Sequence, residues 1–216
     1  MPGPFDITPE DLGRLDPYQS VRIFHDLIFA EAFSIDGIDP SKVEVQCSNC
    51  AIPTNDGGID GIVMDAHPGR GSHGIIKEGS TYYQIKAGKT DVTNQSSAKA
   101  TISSSGQLNP RVRNCLDNNG TLVIVLFGSD RPDREDDGSS KLIRDAISKL
   151  DPKHENYEKV EVWRQSSLCA FINVYPAIAL QVKGVSSMGL ISINQWKQQR
   201  DMSYTMEKGP TQEKAI

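Results

Sequence analysis

The chain has 216 residues, of which 37% are hydrophobic, 24% charged and 6% aromatic, with 18 glycines and 12 prolines. This composition excludes wholesale disorder, a collagen-like repeat and a disulfide-dense scaffold, and the length suits one domain with a sizeable core. The net charge of −5 argues against a protein that holds nucleic acid by overall charge, and no apolar run approaches the roughly 20 residues that span a bilayer.

Residues 1–17 are rich in Pro and Asp and read as an irregular lead-in. They carry no basic segment followed by an apolar one, so no secretory signal is expected and the expected compartment is the cytoplasm. Asp16-Pro17 has the form of a helix start. Val21, Phe24, Leu27, Ile28 and Ala32 then fall at helical spacing, which predicts an amphipathic helix over 18–33 with His25 on its surface. After a turn at Gly37 and Pro40, Val43, Val45 and Cys47 alternate with Glu44 and Gln46, predicting a half-buried strand. A loop over 51–58 leads to a second strand over 59–66. A Gly-rich connection over 67–79, with His67 and His73 exposed, leads to a third strand over 80–87, in which Tyr82 and Tyr83 are packing residues. Three strands at these separations suggest a meander.

The Ser-rich stretch 93–105 reads as a helix with a polar face. Asn109-Pro110 opens a short helix to 118, closed by Asn119-Gly120. Residues 121–127, TLVIVLF, form the most apolar run, which fits a strand covered on both faces. An acidic loop over 130–138, a helix over 141–150, a short strand over 160–163 and a helix over 166–175 follow; after Ala179 the pattern degrades into a polar tail containing Trp196. The expected fold class is α/β, a mixed sheet of a three-strand meander plus further strands, flanked by helices. The expected division is a lead-in over 1–17, a domain over 18–180, and a linker or the start of a following domain over 181–216. Of the four cysteines only Cys47 and Cys50 are close, and no second pair follows at zinc-ligand spacing, so free thiols are expected.

Residues 77–113 carry Lys77, Lys86, Lys89, Lys99, Arg111 and Arg113 against Glu78 and Asp91. That local +4 leaves −9 on the rest of the chain, a distribution that suits a protein meeting a polyanion at one face as well as it suits an ordinary solvated surface. Within the same region lies the constellation that bears chemistry. Asp60 opens a strand directly after Gly57 and Gly58, and Gln84 and Lys86 sit two apart on the next strand. Residues i and i+2 of a strand share a face, so Gln84 and Lys86 point one way and Ile85 the other. If the two strands pair, Asp60 supplies a hard anionic oxygen suited to Mg²⁺, Gln84 a neutral oxygen and Lys86 a cation for a phosphate or a water. Taken singly, Asp60 also reads as a turn residue capping its own backbone, and Gln84 and Lys86 as the solvated face of a strand.

The run NDGGIDGIVMDA followed by YYQIKAG resembles the PD-(D/E)xK nuclease superfamily in its Mrr-like restriction endonuclease branch. Asp60 matches the family's Asp and Gln84-Ile85-Lys86 its Gln-x-Lys element, while Glu31, on the first helix, matches an additional metal-shell Glu. The family's proline is absent, since Ile59 precedes Asp60, and Gln84 replaces the commoner acid, which lowers the charge of the site. The resemblance implies a Mg²⁺-dependent DNA endonuclease, with Mn²⁺ able to substitute. Asp60, Gln84, the Ile85 carbonyl and Glu31 would hold the metal, Lys86 would position the attacking water, and Lys89 and Thr90 would touch phosphate. It also implies an effector domain of a prokaryotic antiviral defence protein, ahead of a STAND-type ATPase or sensor domain and acting as a homo-oligomer, with no membrane partner. No sequence-reading motif stands out, so contacts to the DNA backbone with little base readout are expected. The competing reading is a catalytically inactive nuclease-fold module that binds nucleic acid or a protein.

Overall fold

The computed structural model describes residues 6–45, 58–88, 90–129 and 138–184. The Cys47/Cys50 pair, Gly57, Lys89, the greater part of the acidic loop and the polar tail with Trp196 lie outside the described residues.

The sequence signals for helix starts act as expected at the first long helix. Helix α2 (Pro17–Ser34), preceded by a single turn α1 (Pro9–Leu12), begins in a capping box. Asp16 Oδ1 accepts from Gln19 N at 2.8 Å and Gln19 Oε1 accepts from Asp16 N at 3.0 Å, an arrangement worth about 1 kcal/mol. The lead-in is not irregular throughout: Ile7 and Leu12 are buried, and Asn173 Oδ1 accepts from Ile7 N at 2.7 Å, so apolar packing ties this segment to the C-terminal helices.

Strands β1 (Val43–Val45), β2 (Gly61–Ala66) and β3 (Gly79–Lys86) form the expected antiparallel meander. The chain then passes through α3 (Gln95–Ile102), a small hairpin of β4 (Ser103–Ser104) and β5 (Gln107–Leu108), and α4 (Pro110–Asp117), before β6 (Thr121–Leu126) joins β3 in parallel. Helix α5 (Gly138–Leu150) crosses to β7 (Val160–Trp163), parallel to β6, and α6 (Gln165–Val174) and α7 (Pro176–Val182) follow. The hairpin and α7 are additions to the sequence-based reading. The five strands form one mixed sheet in the order β1-β2-β3-β6-β7, a mixed α/β architecture with helices on both faces.

The two faces follow from strand alternation. Val63, Tyr83, Ile85, Val123, Val125 and Trp163 pack under α2, α6 and α7. Ile62, Tyr82, Leu122, Ile124, Leu126 and Val160 pack under α3, α4 and α5. Every residue of β6 is buried, which is why its sequence is continuously apolar rather than alternating. Among the described residues no helix is long and apolar enough to cross a membrane.

Candidate active site

The carboxyl ends of the parallel strands β3, β6 and β7 lie along one edge of the sheet, where open α/β sheets gather ligands. Asp60 arrives at this edge from the antiparallel side. Gly61 pairs with Tyr83, so Asp60, one residue earlier, stands opposite Gln84. Its N–H donates to Tyr83 O at 2.8 Å and its Oδ2 accepts from Ile85 N at 2.6 Å, bracketing Gln84 on both sides.

Gln84 is 1% exposed and points to the α3 face, where its Nε2 donates to Thr101 O at 2.7 Å. Its Oε1 is buried and has no hydrogen-bond partner. A stranded amide oxygen costs about 1–3 kcal/mol, so its presence needs a reason. Lys86 is half-buried and sits opposite Leu126, a residue of the same face as Gln84's partner Ile124. Its own carbonyl is taken by Phe127 N at 3.0 Å. Successive carbonyls of a strand alternate between its two edges, so the Ile85 carbonyl faces the β2 side, where Asp60 lies. The structure therefore brings together Asp60, Gln84, Ile85 and Lys86. Thr90 is exposed just beyond the strand, in a turn where its N–H donates to Gly88 O at 2.7 Å, and Lys89 lies outside the described residues.

Glu31 is not part of this group. It is fully buried on the face of the sheet opposite Gln84's amide, and its carboxylate is occupied. Oε1 accepts from Ser72 Oγ at 3.0 Å and from His73 N at 2.9 Å, while Oε2 accepts from the Tyr175 hydroxyl. The expectation that Glu31 adds a second charge to a metal is corrected on these grounds: its carboxylate ties the β2–β3 connection to the α6–α7 junction. The α2 side chain that does reach Asp60 is His25, about 9 Å back along the helix. Expected on the surface, His25 is 6% exposed, and its Nε2 donates to Asp60 O at 3.2 Å. A carbonyl only accepts, so this contact fixes the proton on Nε2. Burial holds the His25 pKa below its ordinary value. The signal was present in the sequence, since Val21, His25, Ile28 and Ala32 lie along one helical stripe.

Among the described residues, two of the cations of 77–113 are turned to carboxylates. Lys77, at the far end of β3, pairs with Glu161 at 2.8 Å and lies over the Trp163 ring, and Arg113 approaches Asp151 at 3.7 Å. Tyr82 and Tyr83 are buried packing residues, and His67 and His73 are exposed, as expected. At the end of β7 the buried Arg164 donates to Asp91 Oδ1 at 3.1 Å and to Ser139 Oγ at 2.7 Å, fastening the segment after Lys86 to α5 and α6.

Gly58 explains part of the glycine-rich approach to Asp60. Its φ is +83°, and a Cβ there would fall 2.5 Å from Asn109 Nδ2 and 3.2 Å from Gln84 Nε2. Asn109 stands at the helix-start position predicted for it, yet its side chain makes no capping bond and lies against Gly58 instead.

Among the described residues no group of three or more His, Cys, Asp or Glu side chains is placed to hold a metal ion. Opposite one another in register, Asp60 offers one carboxylate and Gln84 one stranded amide oxygen. That set fits Mg²⁺, which binds through one or two carboxylates and completes its shell with water and substrate phosphate. No family model, curated protein or solved structure matches the chain.

Proposed function

We propose that the protein is a metal-dependent DNA endonuclease. The observation that carries this reading is the buried, unpartnered Oε1 of Gln84, a residue that stands opposite Asp60 in the strand register. An acceptor kept out of water without a protein partner is available to a ligand. In the proposal, Asp60, Gln84 Oε1 and the Ile85 carbonyl hold Mg²⁺, with Mn²⁺ a substitute. When bound, the metal polarises the phosphoryl oxygen and lowers the pKa of a coordinated water.

The chain's own residues do the rest. The Ile85 N–H holds the Asp60 carboxylate against β3. His25 holds the Asp60 carbonyl from behind, and the Thr101 carbonyl holds the Gln84 amide so that its oxygen is the free end. Lys86 balances charge on the phosphate or orients the attacking water. Thr90 and Lys89 contact the backbone beyond it. The wider setting belongs to the same proposal: a cytoplasmic effector domain, followed by a sensor or ATPase domain and activated by oligomerisation. The lone carboxylate favours one second reading, a catalytically inactive nuclease-fold module.

Plasmid cleavage separates the two. The nuclease reading expects nicking with Mg²⁺, none with EDTA, and none from a folded Asp60→Ala protein. Cleavage by folded Asp60→Ala at the wild-type rate would remove Asp60 from the chemistry.

A further inference from the structure

The segment between β3 and β6 shows a feature that the site alone does not require. Residues 92–116 contain Lys99, Arg111 and Arg113 and not one Asp or Glu, so the remainder of the chain carries −8. Lys99 is exposed, Arg111 is half-buried with its Nη1 closed off from solvent, and among the described residues neither has a carboxylate partner. This segment builds α3, the β4–β5 hairpin and α4. It is seated on the candidate site through Thr101 O, which receives the Gln84 amide, and through Asn109, whose side chain lies against Gly58.

The hairpin is built to stand out from that seat. Ser103 pairs with Leu108 and Ser104 with Gln107, joined by Ser105 and Gly106, whose φ values of +52° and +81° make a two-residue turn of the tight, twisted type. Asn109 N donates to Ile102 O at 3.0 Å and closes the base, while buried Leu108 anchors it in the core. Ser104, Ser105, Gly106 and Gln107 are all exposed. At about 3.4 Å per residue, the turn stands roughly 7–10 Å beyond the base. A two-stranded ribbon fits the major groove of B-form DNA, about 8.5 Å deep. The deep, narrow major groove of A-form RNA excludes it.

We infer that the Ser103–Leu108 hairpin enters the major groove of a DNA duplex, with Gln107 and Ser104 facing base edges and Lys99 and Arg111 beside the flanking phosphates. The inference rests on the nuclease reading for the identity of its partner, and it gives the protein a groove-reading element absent from its recognisable motifs. Gln107 carries the one tip side chain able to make a two-point contact with a base edge.

The test uses the full chain and a fluorescent 30-base-pair DNA duplex in EDTA at low salt, read by anisotropy. The double variant Ser104→Asp/Gln107→Glu, which leaves Ser105 and Gly106 intact, is compared with Ala170→Glu/Ala177→Glu. The latter alters net charge equally on α6 and α7, under the other face of the sheet. The expected result is at least a tenfold loss of affinity in the hairpin variant and less than about a threefold loss in the control. Equal losses in the two variants, no binding by the wild type, or equally tight hairpin-dependent binding of an RNA duplex would each overturn the inference. Mg²⁺-dependent hydrolysis of bis(p-nitrophenyl) phosphate, measured in parallel, should be the same in wild type and hairpin variant. Hydrolysis without hairpin-dependent binding refutes the hairpin and leaves the nuclease standing; hairpin-dependent binding without hydrolysis supports the hairpin and refutes the nuclease.

Discussion

Two glutamines in this protein form a natural control for one another. Gln84 is 1% exposed and Gln165 is 4% exposed, and each donates Nε2 to a main-chain carbonyl at 2.7 Å, Thr101 O in one case and Phe127 O in the other. They differ at the second amide atom: Oε1 of Gln84 is buried without a partner, and that of Gln165 is not. Replacing either by Met keeps the approximate shape and removes one hydrogen bond, at about 1 kcal/mol plus the cost of the carbonyl left behind. In Gln84→Met the stranded oxygen also disappears, which returns about 1–3 kcal/mol. Gln84→Met should therefore cost less than Gln165→Met by about 1–3 kcal/mol. For a domain of this size that separates their Tm values by roughly 2–12 °C. Urea and thermal unfolding followed by circular dichroism measure the difference. The same Gln84→Met protein should cleave no plasmid, so loss of a ligand accompanies little loss of stability. If Gln84→Met proves as destabilising as Gln165→Met, Oε1 is satisfied in solution and Gln84 is an ordinary core amide.

Three further outcomes follow from the same geometry. His25 is held neutral by burial, so the unfolded chain takes up a proton near pH 6.5 while the folded one resists it; stability should be full above that pH and decline below it, by at most about 1.4 kcal/mol per unit, and His25→Gln should flatten the slope between pH 6.5 and 5 in urea titrations. Asp26, whose pKa is raised by burial, acts with the opposite sign but closer to the ordinary carboxylate range. Glu31→Ala strands three donors and should cost about 3 kcal/mol or more, while the Mg²⁺ concentration for half-maximal cleavage by whatever protein remains folded stays unchanged; a raised requirement would return Glu31 to the site. Lys86→Ala should slow cleavage on the order of 100-fold with the salt slope of DNA binding altered by only about one unit, and equal small losses in both would reduce Lys86 to a backbone contact.

The fold was legible where one force dominates. Helix α2 announces itself through Asp16-Pro17 and its apolar stripe, β6 through an unbroken apolar run, and the meander through alternation between Gly-rich breaks. The parts missed are those in which tertiary contact, not local pattern, decides. Helix α7 is about two turns that open on Pro176, stabilised by packing Ile178, Ala179 and Val182 on the core. The β4–β5 hairpin has two residues per strand, too few to show a period, and its signal reduces to Ser105-Gly106. The site divides in the same way. Gln84 and Lys86 share a face by strand geometry alone, and that much the spacing dictates. Which residue of α2 meets Asp60 depends on where the helix lies along the sheet, a quantity that no spacing encodes. A carboxylate in helical register suggested Glu31, yet position along the axis selects His25, six residues earlier.

That substitution of an imidazole for a second carboxylate changes what the site can bind. With Glu31 spent on Ser72, His73 and Tyr175, Asp60 is left as the carboxylate that stands in register with Gln84 and its stranded oxygen. A single carboxylate and two neutral oxygens attract Mg²⁺ weakly, because its hydration shell is given up reluctantly. Under the nuclease reading, the missing negative charge comes from the scissile phosphate itself, so metal and substrate are held together or not at all. The acidic remainder of the chain, at −8 outside residues 92–116, works against DNA arriving by charge attraction, and affinity then depends on the few cations and the hairpin that surround Gln84. Both effects lead to the same behaviour: a site that is idle until a duplex is delivered in the correct register, and whose cleavage is lost steeply as salt weakens those few contacts.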